Sequence, residues 1–207
     1  MMADLFNSFE ELRQSMGYGT DYHILMGVRP SNVLFTAIHG GGIELGCTEL
    51  ALLSAGSTHS YYCFEGWRSS GNGDLHITST HFDEPNGKKL VADSEITVSY
   101  HGYSDSNNKH TKVGGLEREL RKSVYDKLIE AGFSAEILPD SDSISGTEKF
   151  NITNTNRRVK GVQLELSTAQ RNAFFDVNTR AERRNTTNAE FDNYVNAILS
   201  AINEFEK

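Results

Sequence analysis

The chain has 207 residues, 37% hydrophobic and 23% charged, with a net charge of -8 and only two cysteines. That length and composition suit a single domain over 1–207 with one sizeable core, and no apolar run approaches the roughly 20 residues that span a bilayer. Cys47 and Cys63 make neither a disulfide framework nor a structural zinc site.

In chain order, residues 4–17 predict an amphipathic helix. Asp4, Glu10, Glu11 and Arg13 interrupt its apolar positions, which argues against a signal peptide and for synthesis in the cytoplasm. Tyr22 to Val28 and Asn32 to Ile38 read as strands, the second a continuous apolar run suited to burial on both faces. His39 closes that strand, and Gly40, Gly41 and Gly42 lead into a helix from Glu44 to Ala55. Strands are then expected at Ser60 to Glu65, Leu75 to Ser79 and Ile96 to His101, with a helical piece around Gly87 to Ala92. Leu116, Leu120, Val124, Leu128 and Ile129 share one helical face over 116–131, and Gly132 supplies its stop. Gly161 to Leu166 predicts a strand, Thr168 to Phe175 a helix, and Ala189 to Phe205 a terminal helix. This order indicates an α/β fold, a single-domain mixed sheet flanked by helices.

Three short segments place metal-capable or acid/base side chains at strand ends or in a glycine turn, where sites of open α/β sheets lie. They are the run from His39 through the three glycines to Glu44, Ser99-Tyr100-His101-Gly102-Tyr103, and Gln163-Leu164-Glu165-Leu166-Ser167. His39, Glu44 and His101 would make a His2Glu set, the three protein ligands of a catalytic zinc site with one position left open. Glu165, a carboxyl in an otherwise apolar strand, is the candidate general base, since burial raises a carboxyl toward the useful range. The stretch from Asn72 to Pro85 holds His76 and His81, which either ligate directly or serve as hydrogen-bonding neighbours of the site.

Charge is uneven. Residues 1–100 carry five Lys/Arg against twelve Asp/Glu, whereas residues 157–184 carry seven Lys/Arg against three Asp/Glu. A basic segment on an acidic protein can steer a polyanion to one face. The overall negative charge and the lack of aromatic-basic interleaving argue against nucleic acid.

HGGGIELGCTELA (39–51), YYCFEG (61–66), GNGDLHITSTHFDEP (71–85), VSYHGY (98–103), KVGGLERELR (112–121) and GVQLELSTAQRNAFF (161–175) together resemble the phage-associated poly-γ-glutamate hydrolase family. The resemblance runs from about Phe35 to Phe175. It implies a zinc carboxypeptidase-like fold, one Zn2+ ion held by His39, Glu44 and His101, Glu165 as base, and endo-type cleavage of the γ-amide backbone of poly-γ-glutamate.

Arg171, in the STAQRNAFF stretch, is the candidate for substrate carboxylates because its planar fork binds them bidentately. Asn154 is followed by Thr155 rather than arginine, so Arg157 and Arg158 compete with Arg171 for that role. Asn72, His76 and His81 are candidates to assist at the developing oxyanion. A capsule-stripping enzyme freed at cell lysis and acting as a monomer, with no membrane partner, is the expectation. The alternatives are a zinc peptidase of γ-glutamyl links in cell-wall peptides and a non-catalytic anion-binding module.

Overall fold

The computed structural model describes residues 4–207. Its strands are β1 (Tyr22–Gly27), β2 (Val33–Gly41), β3 (Ser60–Gly66), β4 (Ile96–Tyr103), β5 (Thr111–Gly114), β6 (Ala135–Ile137) and β7 (Val162–Ser167). They form one mixed sheet in the order β1-β3-β2-β4-β7-β5-β6. The four central strands, β3, β2, β4 and β7, run parallel, while β1 and β5 pair antiparallel with their neighbours β3 and β7. Helices α1 (Phe9–Ser15), α2 (Cys47–Ala55), α3 (Pro85–Asp93), α4 (Arg118–Glu130), α5 (Thr168–Ala173) and α6 (Ala189–Phe205) complete a single-domain α/β structure.

Every residue of β2 is buried, which accounts for its unbroken apolar run. Val33, Phe35 and Ala37 face the core covered by α2, α4 and α6. Leu34 and Ile38 face a second core with Phe9, Leu12, Phe64, Ile77 and Phe82. The apolar stripe of α6, Phe191, Tyr194, Val195, Ile198 and Ile202, packs into the first core. Truncating such a buried residue, as in Ile198→Ala, costs about 2–5 kcal/mol.

Several expected elements differ. Helix α1 is confined to Phe9–Ser15 because the Ser8 side chain caps it by accepting from the Glu11 amide. Helix α2 starts only at Cys47, since Gly46 has φ +93° and residues 42–46 form turns. No strand forms over 75–79. There the Ile77 carbonyl accepts from His39 and the Thr78 amide donates to Asp4, so side chains take the backbone groups a ladder would need. Strands β5 and β6 were not anticipated, and their four and three residues are too short for a periodic signal.

Candidate metal centre and its surroundings

The site lies at the carboxyl ends of β2, β4 and β7. On β4, Val98 and Tyr100 face the helix-covered core, so Ser99 and His101 project to the other face. Strict alternation would send His39 of β2 the same way as Ala37, into the helix-covered core. The β2–β3 register shifts between Ala37 and Gly40, and this irregularity turns His39 toward His101. The glycine turn then brings Glu44 back beside both rings. Gly41 has φ +65°, and a Cβ there would lie 2.5 Å from the Gly66 carbonyl oxygen, so no other residue fits the turn. The Glu44 amide donates to the His39 carbonyl at 2.8 Å, and the Gly42 amide to Gly66 at 2.9 Å.

His39, Glu44 and His101 are thereby brought together, one ligand atom from each lying within 4.8 Å of the others. The two Nδ1 atoms are 3.0 Å apart, and the Glu44 carboxylate is 3.3 Å from the first and 3.6 Å from the second. Each Nε2 is engaged elsewhere. That of His39 donates to the Ile77 carbonyl at 2.9 Å, and that of His101 meets Ser99 Oγ at 2.9 Å. The carbonyl can only accept, so His39 in its neutral form carries its proton on Nε2 and presents a lone pair at Nδ1. With the Ser99 hydroxyl accepting, His101 does likewise. Two lone pairs and a carboxylate converging in a buried space fit a cation, and two imidazoles with one carboxylate are donors that suit zinc.

Electrostatics agree. Burial pushes the His101 imidazole down, to about 3, so it is neutral and ligand-ready. Burial alone would raise the Glu44 carboxyl, but its interaction with the His39 ring outweighs this and holds Glu44 well below the usual carboxylate range, while the carboxylate in turn raises the His39 imidazole above its ordinary value despite burial. The Gly102 amide donates to Glu44 Oε2 at 2.9 Å and fixes the carboxylate's direction.

Glu165 is the register partner of His101 on the adjacent strand and is buried. Burial first, and the Glu44 charge second, raise its carboxyl well above the ordinary glutamate value. Gln163, two residues earlier on the same face, donates to Glu165 Oε1 at 2.9 Å and is itself held by Asn151 at 2.8 Å. Gln163 lies in the segment the sequence marks out around Glu165, but its role as the donor to that carboxyl is visible only in the structure.

The other expected site residues are placed as follows. The His76 ring lies against that of His39, centroids 3.9 Å apart, and its Nδ1 bonds Asp4 Oδ1 at 2.7 Å. Asp4 also accepts from the Thr78 amide at 2.6 Å, a role nothing in the sequence signalled. The Asn72 side chain accepts from the Arg68 amide and donates to the Arg68 carbonyl, both at 2.9 Å, and packs under Gly42 and Gly66. His81 is exposed on the turn after Thr78.

Arg171 is buried beneath Gly102, and its guanidinium donates to the carbonyls of Leu166, Leu45 and Tyr103. Arg157 and Arg158 stand at the opposite end of the sheet, paired with Glu95 at 3.6 Å and Glu117 at 2.9 Å. Arg183 pairs with buried Glu49 at 3.4 Å and donates to the Gly41 carbonyl at 3.2 Å, bracing the glycine turn. The basic segment 157–184 is therefore distributed over both ends of the sheet, and two of its cations, Arg171 and Arg183, are buried.

A mixed α/β sheet carrying a metal-capable cluster beside a buried carboxyl has the makings of a hydrolytic enzyme. Residues 6–197 match the poly-γ-glutamate hydrolase family, and the chain belongs to that family. It is 42% identical over 204 residues to the SPbeta prophage-derived protein YoqZ of Bacillus subtilis (strain 168), covering 99% of this chain and 73% of YoqZ. The fold matches a solved bacteriophage poly-γ-glutamate hydrolase with TM-score 0.93 and 39% identity, covering 99% of each chain. It also matches the zinc-free apo form of YNDL with TM-score 0.95 and 35% identity, over 99% of this chain and 100% of that one. No helix among the described residues is long and apolar enough to cross a membrane.

Proposed function

We propose that this protein is a zinc-dependent hydrolase that cuts γ-amide bonds within poly-γ-glutamate. The observation that carries the reading is the triangle of His39 Nδ1, His101 Nδ1 and the Glu44 carboxylate, with the buried Glu165 carboxyl on the next strand. Family membership supports the substrate, and a solved relative described in a zinc-free form supports the metal.

His39, Glu44 and His101 would hold one zinc ion, which supplies a Lewis acid that acidifies water and polarises the γ-carbonyl. Glu165 takes the proton of the attacking water on its free oxygen and returns it to the departing α-amine nitrogen. Its other oxygen is held by Gln163, so the carboxyl is aimed rather than free to rotate. A carboxyl whose affinity for protons is raised by burial is a stronger base than an ordinary glutamate, which favours its taking the water's proton before handing it on. His76, steadied by Asp4 against the His39 ring, would hydrogen-bond the carbonyl oxygen as charge develops there.

Endo-cleavage, a monomeric state and release at lysis to strip a capsule belong to the same proposal, supported by the phage and prophage origin of its relatives. The test is incubation of purified protein with poly-γ-glutamate, with and without chelator and added zinc, following polymer length on a gel. Rapid shortening to oligomers, abolished by chelator and restored by zinc, is expected. An intact polymer despite bound zinc would overturn the substrate and favour γ-glutamyl links of cell-wall peptides.

A further inference from the structure

Three adjacent strands set three side chains in one row. His101 of β4 is registered with Glu165 of β7, and Glu165 with Lys112 of β5. Registered residues project to the same face of a sheet. Their strand neighbours Tyr100, Leu164, Leu166 and Val113 occupy the helix-covered core on the other face. At ~4.8 Å per strand, Lys112 stands one strand beyond the carboxyl and ~10 Å from His101.

The Lys112 ammonium makes one long ion pair. Its Nζ lies 4.9 Å from the centre of the Tyr103 ring, and the carboxylate it faces, Glu136, is 3.9 Å away and half-exposed. Tyr103 is on the same face of β4 as His101, two residues further on. The Lys112 side chain is 25% exposed, so its head can be reached from solvent. By contrast, the donors of Arg171 go to backbone carbonyls, and Arg157 and Arg158 pair with glutamates at the far end of the sheet.

We propose that Lys112, above the Tyr103 ring, binds the α-carboxylate of the glutamyl unit whose amine departs. This rests on the reading of Glu165 as the group that protonates the leaving nitrogen. In a γ-linked chain that nitrogen is bonded to the carbon carrying the α-carboxylate. With the nitrogen at Glu165, its carboxylate falls at the next position along the row, away from the metal ligands, where Lys112 stands. A lysine suits this task because a flexible point charge can catch and release a carboxylate on a chain that must move through the site. The bound carboxylate would displace Glu136 from its 3.9 Å pairing with Lys112. Specificity for a leaving amine with an adjacent carboxylate then comes from β5, which carries none of the metal ligands.

The test pairs a variant with a modified substrate. Lys112→Gln and the wild type are assayed on poly-γ-glutamate and on the same polymer with its α-carboxyls methyl-esterified, with zinc affinity and Tm measured alongside. Losing a charged hydrogen bond should lower kcat/KM of Lys112→Gln on the native polymer about 10–100-fold. The wild type should lose a similar factor on the ester, and Lys112→Gln should cut the ester no worse than the wild type does. Lys112→Arg should recover most of the activity on the native polymer. An equal loss on both substrates, or none on the native polymer, overturns the assignment. The wild-type comparison of native and esterified polymer needs no variant, so indifference of the wild type to esterification also overturns it. A wild type that binds zinc yet leaves the native polymer intact removes the γ-amide reading instead, and this inference with it.

Discussion

The Nδ1 atoms of His39 and His101 lie 3.0 Å apart while their Nε2 atoms are engaged by the Ile77 carbonyl and the Ser99 hydroxyl. In their neutral forms, two imidazoles so anchored direct lone pairs at each other, and the Glu44 carboxylate beside them favours positive charge there, raising the His39 imidazole above its ordinary value despite burial. The arrangement is repulsive until a proton or a metal ion enters it, so metal binding and folding stability should be linked. Zinc at about 100 times its Kd should stabilise the wild type by about 2.7 kcal/mol. His39→Ala and His101→Ala should show no such gain. The check is Tm as a function of zinc concentration in the three proteins.

Glu165→Gln keeps the shape of the side chain and removes its ability to take a proton. Turnover on poly-γ-glutamate should fall about 10²–10⁴-fold, with zinc affinity unchanged in a chelator competition. Wild-type turnover in this variant would dismiss Glu165 as the base.

The raised carboxyl of Glu165 also predicts a pH dependence of stability. A carboxyl whose folded-state affinity for protons exceeds its unfolded one, near pKa ~4.3, contributes stability that is complete below the unfolded pKa. That contribution is lost as pH rises through the folded pKa. Chelator-treated wild type should therefore lose stability over that window more steeply than chelator-treated Glu165→Gln. Parallel urea-unfolding series from pH 4 upward would show whether the two curves diverge.

Asp4 supports the candidate metal site without belonging to its His39, Glu44 and His101 set. Its two oxygens hold the Thr78 amide and His76 Nδ1, and the Ile77 carbonyl between them fixes the His39 ring. Asp4→Ala should weaken zinc binding about 10-fold, at the low end of the range for outer partners of metal ligands. Competition against a chelator of known affinity reads this directly, and an unchanged affinity would show that the 76–78 segment holds itself.

Arg183 and Glu49 are both buried, and Arg183 braces the Gly41 carbonyl. Arg183→Met leaves buried Glu49 facing only the partly exposed Arg184, 3.7 Å away, so it should cost toward the lower end of the about 3–5 kcal/mol that stranding a buried charge costs in denaturant unfolding. Arg183→Met combined with Glu49→Leu should cost less than the sum of the two single changes, because neither charge is then left unpaired.

Much of the centre was legible along the chain because its signals are local. His39 and Glu44 are separated only by glycines and one isoleucine, and a turn that tight can be inferred from residue type. His101 and Glu165 stand out as polar positions in apolar strands, where alternation assigns them to the face opposite the core. The unbroken apolar run of β2 correctly implied burial on both faces, and the position of α4 followed from its apolar stripe.

What the linear order could not convey is where the charges find their partners. Arg171, Arg157 and Arg158 read alike as candidates for an anionic substrate, yet one lies under Gly102 bonded to carbonyls and two stand at the far end of the sheet. Lys112 drew no role, since β5 is too short for periodicity and its register with Glu165 joins segments more than fifty residues apart. Asp4 reaches Thr78 across 74 residues, and Arg183 reaches Gly41 across 142. Residue type and local period settle which side chains can do chemistry and which face of an element they occupy. Strand order and register settle which of them meet, because those depend on how distant segments bury their apolar faces together.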